Sequence, residues 1–244
     1  MGEYQRRVVA FLDILGFSRL VENANDPKWR TAIEGVLQTL RETLASNDAH
    51  GLRLTQFSDC IVISAPVYHY GVNLVMHGAT ILANNLLNHM VLLRGGIAVG
   101  NLIHSDDVLF GPGLLRAYGK DATGGPPRIS IDQMLKDEIA GWHNDFGLEA
   151  LMRTDPYDLT PMLHTLHNYE VYTPELEVGK PVLDGAAIHL AKQIAWQCYA
   201  ADHPPAVRAK WLWVERYWNE VVSTNGILPP TSEYAAEFRA GSTR

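Results

Sequence analysis

Two aspartates stand where a chain can aim a carboxylate at a ligand. Asp13 closes the apolar run VVAFL and is followed by Ile14, Leu15 and a Gly-Phe-Ser turn at 16–18. Asp59 lies within LRLTQFSDCIVISAP, at what reads as the tight turn of a hairpin near Phe57 to Asp59. Two carboxylates held close repel each other unless a cation lies between them. Hard oxygen donors of this kind suit Mg²⁺ or Mn²⁺. Such a pair can hold two metals for an in-line displacement at phosphorus. Gly16 lets the backbone approach a triphosphate, and amides at the start of the following helix would face it. The simpler alternative is a strand-end aspartate that caps the next helix.

Positioning these acids is the task of the surrounding elements. A first strand is expected over Arg7 to Leu12. Helical spacing of Ile33, Val36, Leu37, Leu40 and Leu44 predicts a helix from about Trp29 to Ala45. The hairpin's second arm carries Ile61, Val62 and Ile63 in a row, as in a strand covered on both faces. A long helix is expected from about Val72 to Leu92. LLRGGIAVGNLIH then reads as a strand weakened by glycines, where another backbone comes close. The order strand, helix, strand, strand, helix, strand is a split βαβ, ferredoxin-like arrangement, α+β in class. Its central antiparallel strands are neighbours, so Asp13 and Asp59 would converge at one end.

FGPGLLRAYGKDA predicts a turn into a short helix, and PRISI a further strand. Helices are expected near Ala187 to Ala200 and Pro205 to Ser223. The second carries a stripe of Val207, Trp211, Val214, Trp218 and Val221. The tail after Pro229 reads as loose. The division expected is a catalytic domain over 1–155 and a mainly helical extension over 156–244, packed on the core.

Composition narrows the function classes. Among 244 residues, 47% are apolar, enough for a sizeable core. No apolar run reaches the roughly 18 to 20 residues of a membrane span. The N-terminus lacks the apolar core and cleavage site of a signal peptide. Cys60 and Cys198 form no metal-type spacing, and a reducing cytoplasm is expected. A net charge of −7 argues against broad nucleic-acid binding.

FLDILGFS and QFSDCIVIS, with LLRGGIAVG and LFGPGLLRAYGKDA, resemble motifs of the class III nucleotidyl cyclases over roughly residues 6 to 132. The family's F-x-D-I-x-G-F-[ST] motif is matched at Phe11, Asp13, Ile14, Gly16, Phe17 and Ser18. RGGIAVG, from Arg94, resembles its R-x-G-I-x-x-G strand. The resemblance implies two divalent cations, Mn²⁺ or Mg²⁺, on Asp13, Asp59 and the backbone carbonyl of Ile14. It implies phosphates on Leu15, Gly16, Phe17 and Ser18, and a homodimer whose active sites are shared.

The departures are as informative. Adenylate cyclases carry lysine, and guanylate cyclases glutamate, four residues before the second metal aspartate; here that residue is Thr55. Ser58 replaces the usual glycine before Asp59. The usual transition-state Asn and Arg fall on Leu115 and Gly119, with Arg116 and Lys120 one residue later as substitute cations.

KWLWVERYWNEVV and PPRISID are similar to the bacterial pyrimidine cyclases of Pycsar antiphage systems. That resemblance implies conversion of UTP to 3′,5′-cyclic UMP and pyrophosphate, with the product acting on a separate effector protein. Thr55 and Phe57 would meet the base. The alternatives are CTP as substrate, giving cyclic CMP, and a catalytically dead cyclase fold that only binds nucleotide.

Overall fold

Val8, Val9, Ala10 and Leu12 are fully buried, because the strand they belong to runs through the middle of a sheet. In this computed structural model, residues 4–22, 30, 34–35, 38, 50–121, 125–142, 147–177, 180–182 and 185–241 are described. The strand, β1 (Gln5–Ile14), extends past the expected Leu12, so Asp13 is one of its paired residues. The short helix α1 (Phe17–Glu22) follows. The helix expected from Trp29 to Ala45 falls mostly outside the described residues.

The chain then forms the hairpin β2 (Arg53–Phe57) and β3 (Cys60–Pro66), helix α2 (His69–Asn88) and strand β4 (Leu93–His104). These four strands are antiparallel in the order β2-β3-β1-β4, the ferredoxin-like order expected. The short strand β5 (Leu109–Phe110) folds back on β4 and leads into helix α3 (Pro112–Asp121). Beyond β4 the sheet grows by β6 (Ile129–Ile131), parallel to β4, then β8 (Pro161–Leu163) and β7 (Met152–Thr154). Helix α4 (Gln133–Ala140) follows β6, capped by Asp132, whose side chain accepts from the Met134 amide at 2.9 Å.

Side chains alternate across a strand, so β1 feeds two cores. Val8, Ala10, Leu12 and Ile14 pack with Ile61, Ile63 and α2 residues such as Val75 and Met76. Val9 and Phe11 pack on the opposite face with Val62, Ala98 and Ala117 of α3. Asp13 belongs to this second face.

The glycines of β4 are explained within the chain. A Cβ on Gly96 would stand 2.5 Å from the Ala117 carbonyl oxygen, and one on Gly100 2.6 Å from the Gly113 Cα. They let α3 settle directly on β4, so they lend no support to packing against a second copy.

The sheet unit spans Met1–Thr165 and a second unit spans Leu166–Arg244. The expected boundary after residue 155 thus moves, because β8 pairs with β6 and β7. The second unit holds α5 (His167–Glu170), the hairpin β9 (Glu175–Glu177) and β10 (Lys180–Val182), and helices α6 (Gly185–Tyr199), α7 (Pro205–Asn225) and α8 (Ser232–Gly241). Trp211, Val214, Trp218 and Val221 of the expected stripe are buried on α7. The Trp218 indole N–H donates to the Pro229 carbonyl at 3.1 Å. Here the expectation of a loose tail fails. Thr231 is fully buried, its hydroxyl donating to Glu215 at 3.0 Å, and it leads into α8. No helix among the described residues is long and apolar enough to cross a membrane.

Candidate active site

Asp13 lies between two strand neighbours, Cys60 on β3 and Arg94 on β4. The Ile14 amide donates to the Asp59 carbonyl at 2.9 Å, which ties the end of β1 to the hairpin turn. The two expected acids therefore meet: ligand atoms of Asp13, Asp59 and Cys60 all lie within 4.8 Å of one another. Two carboxylates at this spacing can enter one coordination sphere of a hard cation. The Cys60 thiol, a softer donor, is hydrogen-bonded to Asp59 Oδ1 at 3.8 Å. The donor set fits Mg²⁺ or Mn²⁺.

Arg94 Nη2 stands 3.1 Å from Asp13 Oδ2, with both side chains mostly buried. It places a fixed positive charge where a divalent cation would sit. Removing that charge as Arg94→Met is expected to tighten Mn²⁺ binding by about tenfold or more. Titration followed by electron paramagnetic resonance would show this; unchanged or weaker binding would mean that Arg94 does not compete for Asp13.

The turn that carries Asp59 holds strain. Ser58 has φ +52°, a left-handed conformation that costs a side-chain-bearing residue roughly 1–2 kcal/mol. That is the physical reason for a glycine before this aspartate. Ser58→Gly is expected to raise stability by about 1 kcal/mol, or roughly 2–4 °C in Tm. A thermal melt at or below the wild-type midpoint would contradict this.

After β1 the chain turns at Gly16, whose φ is +78° and whose Cβ position would meet nothing within 4 Å. Glycine is thus needed there for backbone conformation, and the space beside it is open. The Leu15 amide is already spent on the Leu92 carbonyl at 2.9 Å. Phe17 packs its ring on the core, and Ser18 is exposed.

Thr55 and Phe57 are on the same face of the sheet as Asp13, facing Val62 and Cys60 across the hairpin. Phe57 is half exposed, whereas the Thr55 hydroxyl is hydrogen-bonded to His104 Nε2 at 2.9 Å.

The two candidate cations are not brought to the acids within one chain. Arg116 Nη1 donates to the Val99 carbonyl at 3.2 Å. Val99 is five positions beyond Arg94 along β4, about 16 Å at the rise of a strand. Lys120 Nζ pairs with Asp132 at 3.2 Å, on the β6 side of β4, while Asp13 is on the β1 side. Among the described residues the cation that pairs with these acids is Arg94, which the sequence offered only as part of a strand motif.

His104 was missed altogether, because its partners Thr55 and Ser64 are 49 and 40 residues away in sequence. Burial, then the charges of Arg7 and Arg53, push its pKa down to about 4, with Asp106 acting weakly the other way. The unfolded chain, with a histidine near 6.5, binds more protons between about pH 6.5 and 4. Stability is therefore expected to fall as pH drops through that window. His104→Gln should flatten this acid limb in melts between pH 4 and 8; an unchanged limb would contradict a neutral, buried imidazole.

No protein-family model and no curated protein matches this chain. Among solved structures it is similar to the monomeric guanylyl cyclase domain of the RhoGC fusion protein from the aquatic fungus Blastocladiella emersonii. That match has TM-score 0.47 and 14% identity, covering 66% of this chain and 95% of that one. It is also similar to the adenylyl cyclase CyaB from P. aeruginosa, at TM-score 0.44 and 14% identity over 66% of this chain and 93% of that one. A third is the guanylate cyclase domain of RhGC from Catenaria anguillulae in complex with GTP, at TM-score 0.44 and 14% identity, over 65% and 93%.

Proposed function

We propose that the chain is a nucleotidyl cyclase acting on a pyrimidine triphosphate, UTP in preference to CTP. The observation that carries this reading is the convergence of Asp13 and Asp59 within 4.8 Å at the end of the central strands. The open left-handed turn at Gly16 lies three residues after Asp13.

Asp13 and Asp59 would hold two divalent cations, with the Ile14 carbonyl beside them, and those cations would supply charge neutralisation and a more acidic ribose 3′-hydroxyl. The 3′-oxygen gives its proton to solvent water and bonds to the α-phosphorus as the bond from that phosphorus to the α–β bridging oxygen breaks. The products are a 3′,5′-cyclic nucleotide and pyrophosphate. The Gly16 to Ser18 backbone faces the departing phosphates. In the shared site, Thr55 and Phe57 of the second copy would meet the base. Catalysis is then positioning and electrostatics, as in other phosphoryl transfers.

Arg116 and Lys120 remain the proposed cations for charge on the α-phosphate, delivered from a second copy. A homodimer with shared sites is supported by exposed apolar side chains on the sheet unit: Phe57 at 51%, Phe110 at 60%, Leu115 at 70% and Tyr118 at 49%. Cyclic UMP would act in the cytoplasm as an antiphage second messenger on a separate effector.

The direct test is to incubate the protein with ATP, GTP, CTP and UTP separately with Mn²⁺, resolving products by chromatography and mass. A single cyclic pyrimidine, absent with Asp13→Ala, would support the reading in full. A cyclic purine would keep the chemistry and remove the pyrimidine. A binding-only module is favoured by one observation, the distance of Arg116 from the acids in the chain; nucleotide binding without any product would select it.

A further inference from the structure

The Thr55 hydroxyl ends a line of side chains that begins at a buried arginine. Arg7 is 4% exposed and donates Nε–H to Ser64 Oγ at 2.9 Å. Its Nη2 donates to the Gly51 and Ser64 carbonyls at 2.6 and 3.0 Å, and Nη1 to Gln5 Oε1 at 3.2 Å. All four acceptors are neutral, so the guanidinium is held in place without losing its charge. Ser64 is fully buried, and its Oγ lies 2.8 Å from His104 Nδ1. His104 Nε2 in turn lies 2.9 Å from Thr55 Oγ1.

The polarity of this line can be worked out. With a pKa pushed down to about 4, the imidazole is neutral at pH 7 and carries one N–H and one bare nitrogen. An arginine N–H can only donate, so Ser64 Oγ accepts from Arg7 and has its own hydrogen to give. Nδ1 is the ring nitrogen on the Ser64 side, toward the Arg7 guanidinium. Positive potential there favours a bare Nδ1 accepting from Ser64, with the ring proton on Nε2. Nε2–H then donates to Thr55 Oγ1, and the Thr55 hydroxyl must give its hydrogen elsewhere.

Thr55 is two residues before Phe57 on β2, about 7 Å along the strand from the acids' end of the sheet. In a site shared between two copies, a nucleotide with its phosphates at the acids of one copy would lay its base against Thr55 of the other. We infer that His104 is a positioning residue for base selection: by donating to Thr55 Oγ1 it leaves the Thr55 hydroxyl hydrogen to point at a ligand, which suits the 4-carbonyl of uracil better than the 4-amino group of cytosine. The inference rests on the nucleotide site proposed above and adds to it the means of choosing the base.

Two measurements test it. In ¹H–¹⁵N spectra of histidine-labelled protein at pH 7, His104 is expected as the Nε2–H tautomer, with Ser64→Ala and Thr55→Val each shifting its signals. A Nδ1–H tautomer would overturn the inference. Calorimetric binding of UTP and CTP with Ca²⁺, which needs no turnover, is expected to favour UTP in the wild type. His104→Phe should lower that ratio by about three- to tenfold, the worth of one hydrogen bond. Ser64→Ala should lower it in the same direction, which covers the case of a His104 variant that fails to fold. A ratio unchanged in folded variants, or a wild type that binds neither nucleotide, would overturn it. A ratio that falls as expected in a protein that cyclises nothing would uphold the positioning role while removing the cyclase reading.

Discussion

Asp13→Ala and Asp59→Ala are each expected to abolish Mn²⁺ binding and to cut cyclic-nucleotide formation by at least about 10³-fold while leaving the fold intact. The size of the effect follows from the arrangement of the acids. Both carboxylates belong to one cluster with ligand atoms within 4.8 Å, so losing either leaves a single acid to hold cations of charge +2. Asp13 also loses the contest with Arg94 less easily when Asp59 adds its charge, so the pair binds more strongly than the sum of two isolated acids. Folding should tolerate both changes. Asp59 is in a turn, and the β1-to-hairpin link is made by its backbone carbonyl, which alanine keeps. Asp13→Ala removes one half of a mostly buried ion pair, at a cost of up to about 3 kcal/mol, which a fold of this size can absorb. Calorimetry with Mn²⁺, circular dichroism and product analysis would check all three statements. Wild-type turnover by purified Asp59→Ala would remove the metal site from the account.

Arg116→Ala alone should lower turnover by about 10²- to 10³-fold, and mixing it with Asp59→Ala should restore activity that neither variant has. The reasoning is geometric. Arg116 is anchored at the Val99 carbonyl, about 16 Å along β4 from Arg94 and Asp13, too far to touch an α-phosphate held at the same chain's acids. If it contributes, it does so to a second copy. In an equal mixture about half of the dimers pair one variant with the other, and one of their two sites is intact. Roughly a quarter of the wild-type rate is therefore expected. Recovery near that level would establish a site built from two chains. Two inactive variants that stay inactive when mixed would argue against a shared site, and full activity in Arg116→Ala would pass the role to Lys120 or Arg94.

Local signals in the sequence carried the parts of the protein that depend on local physics. Alternating apolar residues and the glycine turn determined β1, the hairpin and their order. That order already implied that Asp13 and Asp59 share one end of the sheet. The glycines of β4 announced a close approach, because a missing Cβ is visible in any sequence. What approaches was not visible, and it proved to be α3 of the same chain. The tail after Pro229 was misread for a similar reason: its order comes from Thr231 bonding Glu215 and Asn219 on α7, contacts that no local pattern encodes.

Only the tertiary structure decided which side chains stand beside the acids and beside Thr55. Arg94 faces Asp13 because the register of β1 on β4 puts them opposite. His104 reaches Thr55 and Ser64 because the far end of β4 comes over the hairpin, joining residues 49 and 40 positions apart. Residue types and their order were enough to place the acids, since a strand and a two-residue turn hold them. The charges and hydrogen bonds that would tune them come from strand register and from contacts between distant segments, which exist only once the chain has folded.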